Sequence, residues 1–308
     1  MKVLSLYCGA GGIDEGLRQA GIKTTLAIDI WKDACQTMKL NHPDTEVICS
    51  KVSDVKDSLG DFDMVVGGPP CPEFSRANIG RTLDPCEVNN FWSVVNLTNA
   101  KYWIMENVPD VNKVIKNRKN YLVNCADYGV PQIRLRRIFT NLPLPKETHT
   151  NYVTEDLFGN KLKPWVSVRA ALKLNGYLLD CKYKHYERKS GFNSTSKPSK
   201  TIDTQSRELF IEDRKTTFGE REFRKYSIDR PSHTLVKDAR EFYNGRPLSN
   251  KELSILQGFP NNYHFFGTKQ SVKEQIGNAV PPPLIKAFAE QIMPEIHTTK
   301  LSDGEGKI

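Results

Sequence analysis

Short apolar runs alternate with helix-like stretches over the first 140 residues, and few folds are compatible with this alternation. Four of the runs end at a small, polar or Gly/Pro-rich turn, as buried strands often do. Alternating strands and helices favour a parallel sheet with helices on both faces. We therefore expect an α/β fold built on a doubly wound, mostly parallel sheet. The predicted strands are 3–7, 24–28, 62–66, 102–105 and 138–140, and the predicted helices between them are 13–20, 31–40 and 88–98.

The composition argues against a membrane protein and against a protein that disulfide bonds stabilise. No run approaches the ~18 apolar residues that a membrane-spanning helix needs, and the mean hydropathy is −0.51. The seven cysteines are scattered singly, without a Cys-x-x-Cys pair, so we expect neither a disulfide framework nor a metal site. The N-terminal apolar run is too short for a signal peptide. These features predict a soluble, cytoplasmic protein with reduced thiols.

Positive charge is concentrated in segment 141–250. This segment holds 21 Lys and Arg residues against 14 Asp and Glu, a net charge of +7, whereas the remaining 198 residues carry a net charge of +1. Its helical periodicity is weak, and aromatic residues are interleaved with the basic ones, so we expect short strands and long loops. The charge alone fits either an ordinary solvated surface or a surface that binds a polyanion.

A glycine-rich turn follows the first predicted strand, at residues 6–13 (Leu-Tyr-Cys-Gly-Ala-Gly-Gly-Ile). Glycines let the backbone turn tightly and approach a ligand, and the helix N-terminus that follows favours polar ligand groups. Asp29 comes directly after the second predicted strand, where a carboxylate can bind ribose hydroxyls. This pairing predicts a nucleotide-like cofactor, either NAD or S-adenosylmethionine. Asp54 is either a further cofactor contact or an exposed loop carboxylate.

A cysteine between prolines follows the next apolar strand, in residues 67–76 (Gly-Gly-Pro-Pro-Cys-Pro-Glu-Phe-Ser-Arg). This stiff loop would lie at the carboxyl edge of the sheet, where open α/β sheets bind ligands. Structural cysteines usually lie in apolar elements, whereas reactive ones lie in partly exposed, polar surroundings. We therefore predict that Cys71 is a nucleophile and that each of the other six cysteines is a buried, structural residue.

Charged residues in two further blocks need partners. Glu106 ends a buried-looking strand in residues 104–109 (Ile-Met-Glu-Asn-Val-Pro), where an unpaired carboxylate would be costly. It would either contact substrate as a proton donor or form a structural salt bridge. Arg134 and Arg136 are two residues apart in Gln132-Ile-Arg-Leu-Arg, so on a strand they would share one face and seek acceptor oxygens.

Two further blocks follow near the C-terminus, at 256–260 (Leu-Gln-Gly-Phe-Pro) and 275–282 (Gln-Ile-Gly-Asn-Ala-Val-Pro-Pro). Taken in order, all of these blocks resemble the C5-cytosine DNA methyltransferase family. The resemblance covers about 1–140 and 245–293, and it leaves 141–244 without a family pattern. It implies a Rossmann-like catalytic domain that binds S-adenosylmethionine, at 1–140 plus 276–300. It also implies a smaller, loop- and strand-rich target-recognition domain at 141–275, which agrees with the basic charge there.

The resemblance also implies a role for each catalytic residue. Cys71 would add to C6 of cytosine, so that C5 becomes nucleophilic enough to take the methyl group. Glu106 would bind the N3/N4 edge of the ring, and Arg136 would bind O2, with Arg134 supporting the same pocket. The target base would be flipped out of the duplex. The cofactor-binding residues implied by the resemblance are Tyr7, Gly9, Gly11, Asp29, Ile30, Asp54, Pro70, Asn278 and Val280.

The sequence departs from the family pattern in three places. Pro72 and Glu73 follow the nucleophile where Gln is common, Asp29 stands where Glu is usual, and the expected Asp-x-Arg-Gly stretch is only Asp-Pro-Cys-Glu at 84–87. The first departure bears on loop closure and on contacts with the target base.

Two alternative functions stay open at this stage. One is a tRNA-directed enzyme of the same family, although the Cys-Phe-Thr signature of that branch is absent from the sequence. The other is an inactive, methyltransferase-like DNA-binding module, although Cys71 and Glu106 are present. The expected partner is duplex DNA, with nucleoid association if the source is prokaryotic. A cognate restriction enzyme is left open as a partner, and we expect a monomer.

Overall fold

The computed structural model describes residues 1–70, 86–113, 115–151, 162–173, 177–182, 208–209, 222–227, 231–233, 240–243 and 246–293. Its main feature is a seven-stranded sheet with the order β3-β2-β1-β4-β5-β8-β6. The first five strands in this order are parallel, and β8 is antiparallel to both of its neighbours. The sheet strands are β1 (Val3–Leu6), β2 (Leu26–Asp29), β3 (Glu46–Cys49), β4 (Met64–Gly67), β5 (Tyr102–Asn107), β6 (Asn120–Asn124) and β8 (Leu135–Thr140).

Helices cover both faces of this sheet. Among the described residues, four helices follow the first four strands in turn, one lies in the basic segment, and three belong to the C-terminal part of the chain. The helices are α1 (Gly12–Gln19), α2 (Lys32–Asn41), α3 (Val52–Val55), α4 (Cys86–Leu97), α5 (Val168–Leu172), α6 (Asn250–Leu256), α7 (Lys269–Asn278) and α8 (Pro282–Ala289). Single 3-10 turns occur at Lys56–Ser58, Pro109–Lys113 and Cys125–Tyr128.

Strand residues point alternately into two separate cores. Val3 and Val66 lie on the face that α1 and α8 cover, together with Phe288. Leu4 and Val65 lie on the opposite face, which α4 covers with Phe91. A strand buried on both faces reads as a continuous apolar run, and this explains why β1, β4 and β5 were predictable. The predicted α/β fold with a mostly parallel, doubly wound sheet is confirmed.

Most of the basic segment lies outside the described residues. Its described parts include a five-stranded sheet with the order β13-β11-β12-β15-β16, which agrees with the expected short strands. The remaining strands pair as β9–β10 and β7–β14. The strand bounds are β7 (Gln132–Ile133), β9 (His149–Thr150), β10 (Lys163–Pro164), β11 (Tyr177–Lys182), β12 (Glu208–Leu209), β13 (Glu222–Ser227), β14 (Ser232–His233), β15 (Arg240–Tyr243) and β16 (Arg246–Pro247).

Candidate active site

The residues predicted for the site converge on one edge of the sheet. Tyr7 follows β1, Asp29 ends β2, Pro70 comes three residues after β4, and Glu106 lies near the end of β5. These four strands are parallel neighbours, so their carboxyl ends meet at the same edge. Ligands of open α/β sheets bind at this edge.

The glycine-rich loop has a backbone that favours glycine at two positions. Gly9 and Gly11 have φ of +53° and +80°, and the Gly11 amide donates to the Cys8 carbonyl at 2.9 Å. A Cβ added to Gly11 would lie 2.6 Å from the Tyr263 hydroxyl, whereas a Cβ added to Gly9 would meet nothing within 4 Å. The loop is therefore packed tightly at Gly11 and faces open space at Gly9, where a ligand can approach the backbone.

This difference predicts the effects of two alanine substitutions. Each places a side chain in the left-handed region, which costs about 1–2 kcal/mol. Gly11→Ala also forces the new methyl group against Tyr263 and Met38, so we expect it to lower the free energy of unfolding further, by about 1–3 kcal/mol. Gly9→Ala is expected to weaken cofactor binding with the smaller loss of stability. Urea unfolding checks this order, and equal midpoints for the two variants would contradict it.

Asp29 holds the glycine-rich loop against the start of the next helix. One carboxylate oxygen accepts from the Gly9 amide and the other from the Trp31 amide, both at 2.8 Å. Burial raises the pKa of Asp29, while these backbone donors lower it. Each carboxylate oxygen can accept a second hydrogen bond, so Asp29 can still bind hydroxyl groups. Ile30 follows it and is 61% exposed.

Tyr7 connects the same loop to α4. It has φ +53°, and its hydroxyl lies 2.7 Å from Oε2 of Glu87 and 3.1 Å from the Glu87 carbonyl. Burial, followed by the neighbouring Glu87, raises the pKa of Tyr7 well above its ordinary value, so the phenol remains a donor. Sequence reasoning missed Glu87, because its partner is 80 residues away.

Glu106 and Arg136 form an ion pair with each other. Nε of Arg136 lies 2.7 Å from Oε1 of Glu106, and the two side chains are only 10% and 11% exposed. A Cβ added to Gly68 would lie 3.5 Å from Oε2 of Glu106, so this second oxygen faces the loop that leads to Cys71. The pair therefore combines a carboxylate and a guanidinium beside that loop.

The loop itself is attached to the end of β5. The Asn107 side chain donates to the Pro69 carbonyl at 3.1 Å and accepts from the Val108 amide at 2.8 Å. Pro70 is the last described residue before position 71, and Cys71 lies outside the described residues. Asn107 thus fixes the chain two residues before Cys71, a role that the sequence analysis did not assign.

Arg134 is buried and bonds to the C-terminal end of α7 rather than facing open space. It is 2% exposed, and its Nη2 lies 3.1 Å from the Gly277 carbonyl and 3.4 Å from the Ala279 carbonyl. Burial, with a smaller effect of Arg136, lowers its pKa to about 9, so it remains charged at neutral pH. Gln257 strengthens the same connection by donating to the Ala279 carbonyl and accepting from Gln132.

The remaining predicted cofactor residues are spread around this edge. Val280 is buried, and a Cβ added to Gly12 would clash with the Val280 backbone. Asn278 is exposed at the last position of α7. Asp54 is exposed and accepts from the Ser53 hydroxyl at 2.9 Å. This bond joins two residues of α3, and the cofactor role of Asp54 stays a prediction.

The described residues also bear on metal binding and on membrane insertion. Among them, no group of three or more His, Cys, Asp and Glu side chains is arranged to hold a metal ion. No helix within these ranges is both long and apolar enough to span a membrane.

Comparisons with known proteins identify relatives along nearly the whole chain. The family model described as C-5 cytosine-specific DNA methylase matches residues 1–294. The chain is 30% identical to the type II methyltransferase M1.HphI of Haemophilus parahaemolyticus, over 95% of this chain and 87% of that protein. It is 29% identical to the type II methyltransferase M.HgiDI of Herpetosiphon aurantiacus, over 98% and 97% of the two chains.

Two solved structures share the fold. A structure described as a DNA modification methyltransferase encoded within an E. coli prophage has a TM-score of 0.64 at 20% identity, with 96% of this chain and 99% of that chain covered. A DNMT2 mutant of Spodoptera frugiperda has a TM-score of 0.59 at 16% identity, with 95% and 99% covered. The sheet order and the loop that leads to Cys71 are consistent with the family match. The chain belongs to the C-5 cytosine-specific DNA methylase family.

Proposed function

We propose that this chain transfers the methyl group of S-adenosyl-L-methionine to C5 of cytosine within a specific sequence of duplex DNA. The family match over residues 1–294 is the observation that carries this proposal. The buried Glu106–Arg136 pair beside the loop to Cys71 supports it, because it supplies a carboxylate and a cation at the place where a cytosine ring must be held.

The chemistry of the base follows from these residue types. C5 of cytosine is a weak nucleophile, so the Cys71 thiolate adds to C6 first and makes C5 enamine-like. Glu106 hydrogen-bonds the N3/N4 edge and stabilises the protonated ring, and Arg136 binds O2. S-adenosyl-L-methionine, when bound, supplies the electrophilic methyl group. Loss of the C5 proton to a base then expels the Cys71 thiolate and restores the aromatic ring.

The loop at the sheet edge fits the cofactor. Open space beside Gly9 lets a ligand approach the backbone, and the Asp29 carboxylate lies at the end of β2 with acceptor capacity for hydroxyl groups. The exposed Ile30 side chain offers an apolar surface next to it. The residues proposed to bind the cofactor are Tyr7, Gly9, Gly11, Asp29, Ile30, Asp54, Pro70, Asn278 and Val280.

DNA would be read by the basic part of the chain. Residues 141–250 carry the net charge of +7, which suits contacts to phosphates, while side chains on its loops would read base edges. We keep 141–275 as the target-recognition domain, with 1–140 plus 276–300 as the catalytic domain. However, Phe266 and Ser271 bond to α2, which favours an earlier end of the recognition domain.

The relatives suggest the cellular setting. Both M1.HphI and M.HgiDI are named type II methyltransferases, so we propose that this chain protects DNA in a restriction-modification system with a cognate restriction enzyme. A monomer is sufficient, because flipping one base needs no second copy of the chain. Such an enzyme would act in the cytoplasm, and on the nucleoid if the source is prokaryotic.

Neutralising one basic cluster is expected to flatten the salt dependence of DNA binding. The cluster is Lys182, Lys184, Arg188 and Lys189. Each phosphate contact contributes about 0.9 to the slope of log K against log salt, so four lost contacts would reduce the slope by about 3–4. Alanine at three ion-paired lysines outside this cluster, the exposed Lys23 and Lys113 and the half-buried Lys286, is the control. An unchanged slope in the cluster variant would mean that the cluster does not contact phosphates.

A further inference from the structure

Tyr263, from the segment between α6 and α7, is bonded to the glycine-rich loop 253 residues earlier. Its hydroxyl lies 2.5 Å from the Ala10 carbonyl oxygen. Ala10 stands between Gly9 and Gly11, which both have a left-handed backbone. The contact therefore fixes the peptide group in the middle of the loop that we propose to bind the cofactor.

Packing leaves the Tyr263 ring little freedom. The residue is 6% exposed. Its ring centroid lies 4.6 Å from that of Phe259 and 5.3 Å from that of Phe265. Its backbone amide also donates to the Pro260 carbonyl at 3.1 Å. A side chain held this firmly can position the group to which it is bonded.

His42 is a second partner of the Tyr263 hydroxyl. Its Nε2 lies 3.3 Å from the Tyr263 hydroxyl oxygen. A phenol has one proton, and burial keeps it in place by raising the pKa of Tyr263 well above its ordinary value. Since that proton is donated to Ala10, His42 contacts the phenol oxygen as an N–H donor, with the ring proton assigned on this ground. The hydroxyl is thus oriented from both sides.

Hydrogen bonds attach the segment that carries Tyr263 to α2. The Asn41 side chain bonds to both the amide and the carbonyl of His264, at 2.9 and 2.7 Å. The Phe266 amide donates to the Thr37 hydroxyl at 2.8 Å, and the Ser271 hydroxyl donates to Asp33. These bonds attach the Tyr263 segment to α2, and Asp29 joins the residue before α2 to Gly9 of the glycine-rich loop.

We propose that Tyr263 is a positioning residue for the cofactor: its hydroxyl holds the Ala10 peptide so that the open side of Gly9 faces the bound methyl donor. This inference rests on the proposed function, since it takes the glycine-rich loop as the cofactor site. It assigns the residue to cofactor affinity rather than to the chemistry of the base, because its bonds reach the loop and not Glu106.

Tyr263→Phe tests the inference, because it removes one oxygen atom and keeps the ring. Tyr121→Phe is the matched control: its hydroxyl also donates to a backbone carbonyl, that of Leu142, which lies beyond the opposite end of β8 from Arg136. Calorimetric titration with S-adenosyl-L-homocysteine measures binding. Hydrogen exchange of the peptide covering residues 7–12, in the protein without cofactor, measures loop mobility. Methyl-transfer assays then separate KM from kcat.

For Tyr263→Phe we expect about five- to tenfold weaker binding of S-adenosyl-L-homocysteine, as one lost hydrogen bond predicts. The KM for S-adenosyl-L-methionine should rise by a similar factor at unchanged kcat, and exchange in residues 7–12 should be faster. Wild-type affinity and exchange in this variant, or equal effects in Tyr121→Phe, would overturn the inference. Failure of the wild-type protein to bind S-adenosyl-L-homocysteine would instead overturn the proposed function.

Discussion

Replacing Cys71 by Ala is expected to abolish methyl transfer while DNA binding persists. The thiolate is the only group in the proposed reaction that makes C5 nucleophilic, so its loss should lower kcat by at least about 10⁴-fold. The methyl-sized side chain removes the sulfur without adding bulk to the loop, so contacts with DNA should survive. Transfer of labelled methyl groups measures the first effect, and a gel-shift titration measures the second.

A matched cysteine and a substrate analogue make this prediction specific. Cys86 at the start of α4 is exposed, as is Cys49, so the expectation that both are buried was wrong. Cys86→Ala should leave kcat within about twofold of the wild type, as expected of a surface substitution. DNA with 5-fluorocytosine at the target cannot lose a C5 proton, so it should retain wild-type protein covalently and leave Cys71→Ala unattached. Turnover near wild type in Cys71→Ala would remove this residue from the mechanism.

Glu106→Gln is expected to lower kcat about 10²- to 10³-fold with little change in cofactor affinity. The amide keeps the shape of the side chain and an acceptor for Arg136, but it loses the charge that stabilises a protonated cytosine ring. The substitution also leaves the nearly buried Arg136 without its counter-charge, so the free energy of unfolding should fall by about 3–5 kcal/mol at most. Single-turnover methyl transfer and urea unfolding measure the two effects.

Glu15→Gln serves as the control for Glu106→Gln. Glu15 is also a buried carboxylate paired with an arginine, since it accepts from Nε and Nη2 of Arg18 at 2.8 Å each. It should cost stability without changing kcat at saturating cofactor. If both variants lost stability while both kept kcat, Glu106 would be a structural partner of Arg136, which is the alternative that the sequence left open.

The sequence predicted elements whose side chains carry a strong local pattern. The strands β1, β4 and β5 were predictable because both of their faces are buried. Strand β3 was missed because its four residues are only half-buried or exposed. Helix α7 was missed because its buried face includes the polar Gln275. The burial of β3 and α7 depends on neighbours elsewhere in the fold, so it cannot be predicted from the local sequence pattern.

The same limit applies to the site. Glu106 and Arg136 were each predicted, since a charge in an apolar strand needs a partner, but their pairing with each other became evident only in the structure. Asn107 and Tyr263 act on Pro69 and Ala10, 38 and 253 residues away. Neither contact can be predicted from the spacing of residues in the sequence, because each joins residues that only the fold brings together.

One assay tests the central claim most directly: transfer of labelled methyl groups from S-adenosyl-L-methionine, with duplex DNA and bulk tRNA offered in parallel and Cys71→Ala as the blank. The account predicts label in DNA, recovered as 5-methylcytosine, and none in the blank. Label in tRNA alone would contradict the proposed substrate, and no label in either polymer, with DNA still bound, would contradict the proposed reaction.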